Sequence, residues 1–344
     1  MFNETDWNHL KEEIQYQVEK KFDEEMEVDV IIPVYKPDIK FKHLVERLVK
    51  QSVKPKHIFL MHTIETANIE DEPGSTKDML AYARQLSSSS CIIECINIKK
   101  VDFDHGGTRN YGASLSQADI ILFMTQDAVP GDKELIKNLI QPLKNTKVAA
   151  SYGRQLAGDK AGVIEQYTRI FNYPEVNSIK SIEDLPRLGI KTYFCSNVCA
   201  AYNRDIYNKL GGFVLKTIFN EDMIMAASII KAGYSIAYSA EAKVYHSHTY
   251  TYRQQFKRNF DLAVSQKQYS NIFSSVKSES EGIKLIKKTA KYLIENKHWL
   301  MIPDLILQSG FKYLGYLAGK QYERFPVWLI RKFSMNPGYW IESR

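Results

Sequence analysis

Among the side chains of the types that move protons or hold metal ions, five stand out because each falls at the end of an expected element. In ILFMTQDAVP (Ile121–Pro130) a short apolar run, Ile121 to Met124, passes through Thr125 and Gln126 into Asp127 before Pro130 and Gly131 break the chain. A carboxylate closing a buried strand is expensive unless a cation or hydrogen-bond donors meet it. In FNEDMIMAASIIKAG, Glu221 and Asp222 stand near the start of a helical face continued by Met223, Ala226, Ala227 and Ile230. The helix dipole favours negative charge there, so the plain reading is an acidic first turn. The functional reading is a general base projecting into a cleft. KVYHSH ends an expected strand with His246 and His248, which lie on one face because they are two apart. An imidazole of that pair can join a carboxylate around a divalent ion.

DHGGTRNYGASLS adds an anion-binding pattern. Gly106 and Gly107 leave the backbone free to turn tightly, and the helix that follows exposes unpaired N–H groups. Such an end attracts anions, and Arg109 on its first turn adds a bidentate phosphate or carbonyl partner. The spacing is neither G-x-G-x-x-G nor a Walker loop, which argues against a nicotinamide or P-loop site. Cys91/Cys95 and Cys195/Cys199 form two C-x3-C pairs in strand-like segments. Four residues of strand span roughly 13 Å, too far for one tetrahedral zinc to take both members of a pair, so buried thiols are expected.

The elements that must position these residues alternate at short spacing. VDVIIPVY, HIFLMH, CIIECINI, DIILFMTQD and VAASYGRQL read as strands; KHLVERLVKQS, DMLAYARQLS, the stretch after Gly107 and KELIKNLIQPL read as helices. That order implies an α/β domain with a largely parallel sheet, and such sheets place ligands at the carboxyl ends of their strands. Asp127 would stand at such an end. Three regions are expected: an N-terminal helical extension, 1–26, with a thin stripe of Trp7, Leu10, Ile14 and Val18; the α/β domain, 27–250; and a helical, aromatic-rich C-terminal region, 251–344.

The 344 residues are 44% hydrophobic and 25% charged, enough for a globular core. The absence of any run of about 18 apolar residues predicts no transmembrane helix, and the polar N-terminus is no secretory signal. Four cysteines do not make a disulfide scaffold, so a reducing cytoplasm is expected. Residues 251–344 carry 16 Lys and Arg against 7 Asp and Glu, a balance of +9, which leaves −3 for the rest of a chain whose net charge is +6. With Trp299, Tyr313, Tyr316, Trp328, Tyr339 and Trp340 this basic third suits an anionic membrane surface. No nucleic-acid fold signature accompanies it, so nucleic acid is not an expected partner. The same apolar stripes would also suit a homodimer interface.

In order, the VDVIIPVY strand, the Gly-Gly-Thr-Arg-Asn helix start, the strand ending TQD, then GGF, NED and the late HSH resemble the family 2 glycosyltransferases over about Val28 to Phe260. FDHGGTRNYGAS…FMTQDA is most similar to their rhamnosyltransferase branch. The resemblance implies a GT-A fold (Rossmann-like, a mostly parallel sheet flanked by helices), a nucleotide-sugar donor and a divalent cation, Mg²⁺ or Mn²⁺. By position Asp127 matches the last residue of the family's D-x-D motif, the metal ligand, and His246 or His248 the late histidine near the metal. Asp222 matches the catalytic base, with Glu221 beside it. Pro33 and Tyr35 match the first nucleotide-contacting loop, which Gly107, Gln126 and Arg109, the last on the base or phosphate side, would help to complete. Two positions depart from the pattern. Thr125 replaces the first acid of D-x-D and offers a hydroxyl to the ribose or base; His62 and Thr63 stand where many relatives have Asp-Ser. Ser196 and Asn197 would border the acceptor. The implied reaction is inverting transfer of a sugar, best matched by L-rhamnose from dTDP-β-L-rhamnose, onto a glycan or lipid-linked oligosaccharide at the inner face of the membrane. A galactofuranosyl or glucosyl donor, or a non-catalytic binding module, are the alternatives.

Overall fold

A computed structural model describes residues 26–65, 71–273 and 279–340. The expected N-terminal helix lies outside the described residues. The β-branched run at the start of the described chain forms β1 (Val28–Val34), and its alternate side chains feed two different cores. Ile31 packs with Phe59, Met61, Ile121 and Phe123 on one face. Val30 and Ile32 pack with Ile58, Leu60 and Leu122 on the other. Burial on both faces is what a central parallel strand requires, and it explains why these runs are continuously apolar rather than alternating.

The chain continues through α1 (Ile39–Leu48), β2 (His57–Ile64), α2 (Gly74–Gln85), β3 (Ile92–Lys99), α3 (His105–Leu115), β4 (Ile120–Met124), β5 (Val129–Pro130) and α4 (Leu135–Ile140). Then follow β6 (Val148–Leu156), α5 (Val163–Asn172), β7 (Ser178–Lys180), α6 (Leu185–Leu188), β8 (Cys199–Asn203), α7 (Arg204–Lys209), α8 (Glu221–Lys231) and β9 (Ser235–Tyr245). The sheet order is β3-β2-β1-β4-β8-β6-β9-β5, with β7 paired to β9. β1 to β4 run parallel. β8 is antiparallel to both neighbours, and β6 and β9 are again parallel. The strand order reverses between β1 and β4, so a crevice opens beyond their carboxyl ends.

Three local expectations are corrected. Gly106 and Gly107 are not a turn before the helix; both lie inside the first turn of α3, which Asp104 caps by accepting from Gly107 N at 2.6 Å. Glycine is needed at 106 for close approach, since a Cβ there would sit 2.0 Å from Val214 O. Gly106→Ala is expected to cost about 1–3 kcal/mol, read as a lower thermal midpoint; an unchanged midpoint would mean that the Phe213–Leu215 segment yields freely. β9 ends at Tyr245, so His246 and His248 follow the strand rather than close it. Cys195 lies in the loop before β8. All four cysteines are free thiols, and none belongs to a cluster of three or more metal-ligating side chains among the described residues.

The remainder is helical: α9 (Tyr252–Gln268), α10 (Ser270–Phe273), α11 (Glu279–Glu295), α12 (Ile302–Lys320) and α13 (Val327–Phe333). A capping box of Thr251 and Gln254 starts α9. α12 lies directly on α9 through Gly315 and Gly319, where a Cβ would stand 2.2 Å from Phe256 O and 2.3 Å from Phe260 O. Ile218 shares a small core with Phe260, Val264, Ile330 and Trp340. Ile164 of α5 shares another with Leu293 and Leu305. The C-terminal helices are thereby joined to the α/β part by apolar contact. No described helix is long and apolar enough to cross a membrane.

Candidate active site

The turn after β4 brings Asp127 to the crevice, and the segment after β9 brings His246 and His248 to the same point. The Nε2 atoms of His246 and His248 stand 3.5 and 3.4 Å from Asp127 Oδ2. One ligand atom from each of the three lies within 4.8 Å of the others. His246 Nδ1 meets Gln155 Oε1 at 3.0 Å; since that amide oxygen can only accept, Nδ1 carries the proton and Nε2 keeps its lone pair toward Asp127. Burial pushes the His246 imidazole well below its ordinary value, helped by His248 and by the cations Arg169, Arg258 and Lys40. Burial lowers His248 as well, against the pull of Asp127. Two neutral imidazoles and a carboxylate are a ligand set for a divalent cation.

The second centre lies at the start of α8. Asn220, in the left-handed region at φ 66°, turns the chain, and its amide is tied to Leu262 O of α9 at 3.3 Å. Asparagine tolerates that conformation better than most residues. Glu221 is thereby buried beside Arg109, with the ion pair at 3.3 Å. Arg109 also donates to His105 O at 2.9 Å. Its guanidinium is buried against a carboxylate, where the sequence pattern placed it against a phosphate. Although burial alone pushes Glu221 up, Arg109 and His105 hold it below its ordinary value. Asp222 behaves oppositely: burial, then the charge of Glu221, push its carboxyl up to about 7. One buried acid is thus kept ionised by a cation, and its neighbour is left poised near neutrality.

A hydrogen-bonded bridge connects the two centres. Gln155, whose oxygen holds His246, donates through Nε2 to Ser196 Oγ at 3.0 Å. The next residue, Asn197, donates its backbone N–H to Asp222 Oδ2 at 3.3 Å. Asn197 Oδ1 accepts from Tyr202 at 3.0 Å, and the side chain is buried. Of the two residues expected to border the acceptor, Asn197 is closed off inside the fold, while Ser196 is half-buried and its hydroxyl accepts from Gln155. Beside the bridge lies a cavity of about 350 Å³ whose lining includes Gln155, Arg169, Tyr173 and Tyr245. Burial pushes the Tyr173 phenol up to about 12.

On the other side, Gln126 clamps the loop after β1: its Oε1 accepts from Tyr35 N at 2.7 Å and its Nε2 donates to Tyr35 O at 2.9 Å. Pro33 is half-buried in β1 and Tyr35 is exposed beyond it. The Thr125 hydroxyl is buried with no partner, as are those of Thr63 and Thr108. His62 is fully buried, with Nδ1 3.2 Å from Asn97 Oδ1. Asn97, Gly107, Thr108 and Tyr111 line a cavity of about 340 Å³. His62 therefore reaches that cavity only through Asn97, and the Gly107 N–H is taken by Asp104.

Three participants escaped sequence reasoning. Gln155 and Arg169, whose guanidinium meets Gln155 Oε1, sit in ordinary-looking strand and helix. Arg258 of α9 lies over the Tyr250 and Phe219 rings and acts on both histidines. A cation directly after the basic region's first turn was the one available signal for Arg258; nothing local marks the other two.

The family described as Glycosyl transferase family 2 matches residues 29–211. The chain is 36% identical over 323 residues to the O-antigen chain rhamnosyltransferase RfbN of Salmonella typhimurium, covering 92% of this chain and 96% of that protein. It is 41% identical over 253 residues to the O-antigen chain rhamnosyltransferase WbaN of Salmonella anatum, covering 71% and 78%. Its fold is similar to that of the mannosyltransferase PcManGT from Pyrobaculum calidifontis in complex with GDP-Man and Mn²⁺ (TM-score 0.53, 12% identity, 95% and 92% covered). It is also similar to S. aureus TarS 1-349 in complex with UDP-GlcNAc (TM-score 0.50, 14% identity, 87% and 92% covered).

Proposed function

The chain belongs to glycosyl transferase family 2, and we propose that this member transfers L-rhamnose from dTDP-β-L-rhamnose to a hydroxyl of a growing O-antigen chain on a lipid carrier, inverting the anomeric centre. The relatives RfbN and WbaN, both O-antigen chain rhamnosyltransferases by name, support the sugar and the acceptor class. The observation that carries the chemistry is the bridge from the Asp127, His246 and His248 cluster through Gln155 and Ser196–Asn197 to the poised carboxyl of Asp222.

Asp127, His246 and His248 fit a divalent cation, Mg²⁺ or Mn²⁺, because the Gln155 contact leaves the His246 lone pair free and both imidazoles are neutral. When bound, the cation supplies neutralisation of the diphosphate charge. Arg169 and Arg258 add fixed positive charge at the same place. Asp222 accepts the proton of the acceptor hydroxyl as the oxygen forms its bond to the anomeric carbon and the bond to the diphosphate breaks. Arg109 holds Glu221 ionised beside that base, and the backbone N–H groups of Asn197 and Met223 position it. The cavity beside Tyr173 and Tyr245 receives the acceptor sugar, since aromatic faces with polar rims suit pyranoses. Pro33, Tyr35, Gln126, Gly107 and the Thr125 hydroxyl border the donor nucleotide, and the base is read through Asn97 as held by His62.

Thermal-shift titration with dTDP-rhamnose, dTDP, UDP and UDP-sugars, in Mn²⁺ and then EDTA, tests the donor. The largest Mn²⁺-dependent stabilisation is expected from dTDP-rhamnose. Preferential stabilisation by a galactofuranosyl or glucosyl nucleotide would replace rhamnose as the sugar moved.

A further inference from the structure

α12 is apolar on the side that the protein does not cover. Gly315 and Gly319 are buried against α9, Leu305 packs with Ile164 of α5 and Leu293 of α11, and Lys312 is half-buried. The outward positions Ile306, Leu307, Tyr313, Leu314 and Leu317 are exposed, Ile306 by 63% and Leu314 by 56%. No charged residue stands among them: the charged residues of α12 are Asp304, bonded to Tyr252, the half-buried Lys312, and the terminal Lys320. Trp299 and Leu300, just before the helix, are exposed as well. An uninterrupted apolar face of this kind is uncommon on a free monomer and marks a docking surface.

We infer that this face of α12 lies on an anionic lipid bilayer, with Trp299 and Leu300 inserted at the headgroup level. Charge selects that occupant. The C-terminal region carries +9, and exposed Arg324, Arg331 and Lys332 follow α12 directly. A negative lipid surface complements them, whereas a second copy would bring two like-charged regions together. Nineteen residues of helix extend about 28 Å, yet α12 does not qualify as a membrane span. It therefore lies along the interface, as amphipathic helices with aromatic flanks do. The position fits the chemistry. Leu305 of α12 packs on Ile164 of α5, and the next residue, Glu165, accepts the backbone N–H of His248 at 2.9 Å, so the lipid face stands one layer behind the metal cluster.

The inference rests on the lipid-linked acceptor of the proposed function, and the two are separable by experiment. Flotation of the full chain with phosphatidylglycerol–phosphatidylcholine vesicles is expected to show binding that weakens in high salt and is at least about tenfold stronger than with phosphatidylcholine alone. Leu314→Glu/Leu317→Glu is expected to lower that binding at least about tenfold, with the thermal midpoint and Mn²⁺-dependent dTDP-rhamnose binding unchanged. Trp299→Ala/Leu300→Ala provides the same readout should the first variant misfold. Equal binding to both vesicle types, no binding by the parent chain, or unaltered binding by the folded variants would overturn the inference. So would a dimer in sedimentation that the variants convert to monomer. Loss of donor binding with flotation intact would instead count against the proposed reaction alone.

Discussion

Asp222→Asn is expected to lower turnover by about 10²–10⁴-fold while metal-dependent donor binding persists. The side chains are isosteric, and an amide oxygen still accepts from the backbone N–H of Asn197. What is lost is the ability to take a proton, together with one of the two acceptor oxygens, since Oδ1 accepts from Met223 N at 2.7 Å. The pH profile gives a second readout. Burial and the Glu221 charge raise the carboxyl to about 7, and only the ionised form is a base. Activity of the parent chain should therefore fall as pH drops through about 7, and Asp222→Asn should lack that acid limb. The same raised value has a stability sign. A carboxyl protonated more readily in the folded than in the unfolded chain contributes stability below about pH 4, and that contribution is lost as pH rises through about 7. Asp222→Asn removes the buried charge, so its thermal midpoint at pH 8 should exceed that of the parent. Parental turnover in the variant would refute the base assignment outright.

Asp127→Ala is the other large effect. It removes the one carboxylate that both His246 and His248 face, so transfer should drop by about 10³-fold or more, the scale of several kcal/mol of charge stabilisation. Adding Mn²⁺ after EDTA should restore the parent chain and not the variant. Gln155→Leu separates ligation from support. It leaves all three ligands in place but frees His246 to turn, and should weaken metal affinity by about 10–100-fold, with activity returning as Mn²⁺ is raised. Full activity of Asp127→Ala in EDTA would remove the cation from the reaction.

Much of the site was readable because its parts are periodic or terminal. The apolar run before Thr125 reads as a buried strand, and a carboxylate just after it is expected to face a crevice. His246 and His248 were paired by a strand spacing; they follow β9 instead, and both still face Asp127. Glu221 and Asp222 are placed together by helix geometry, and the basic excess after residue 250 is simple arithmetic. The alternation of strands and helices likewise implied the parallel half of the sheet, because each run has the length and period of one element.

Roles that depend on distant neighbours were not readable in this way. Arg109 has the type and position of a phosphate ligand, and only the packing of α3 against α8 turns it to Glu221. Asn197 looked like a sugar contact and became a buried support. Gln155, 91 residues from His246, carries no local mark at all. Chain chemistry and spacing thus specified which groups could ionise, ligate or pair, since those properties belong to each residue and its near neighbours. Folding determined which of two adjacent acids would stay ionised and which would rest near neutrality. That choice depends on burial and on charges brought within a few ångströms by long-range contact, and no short stretch of the chain contains it.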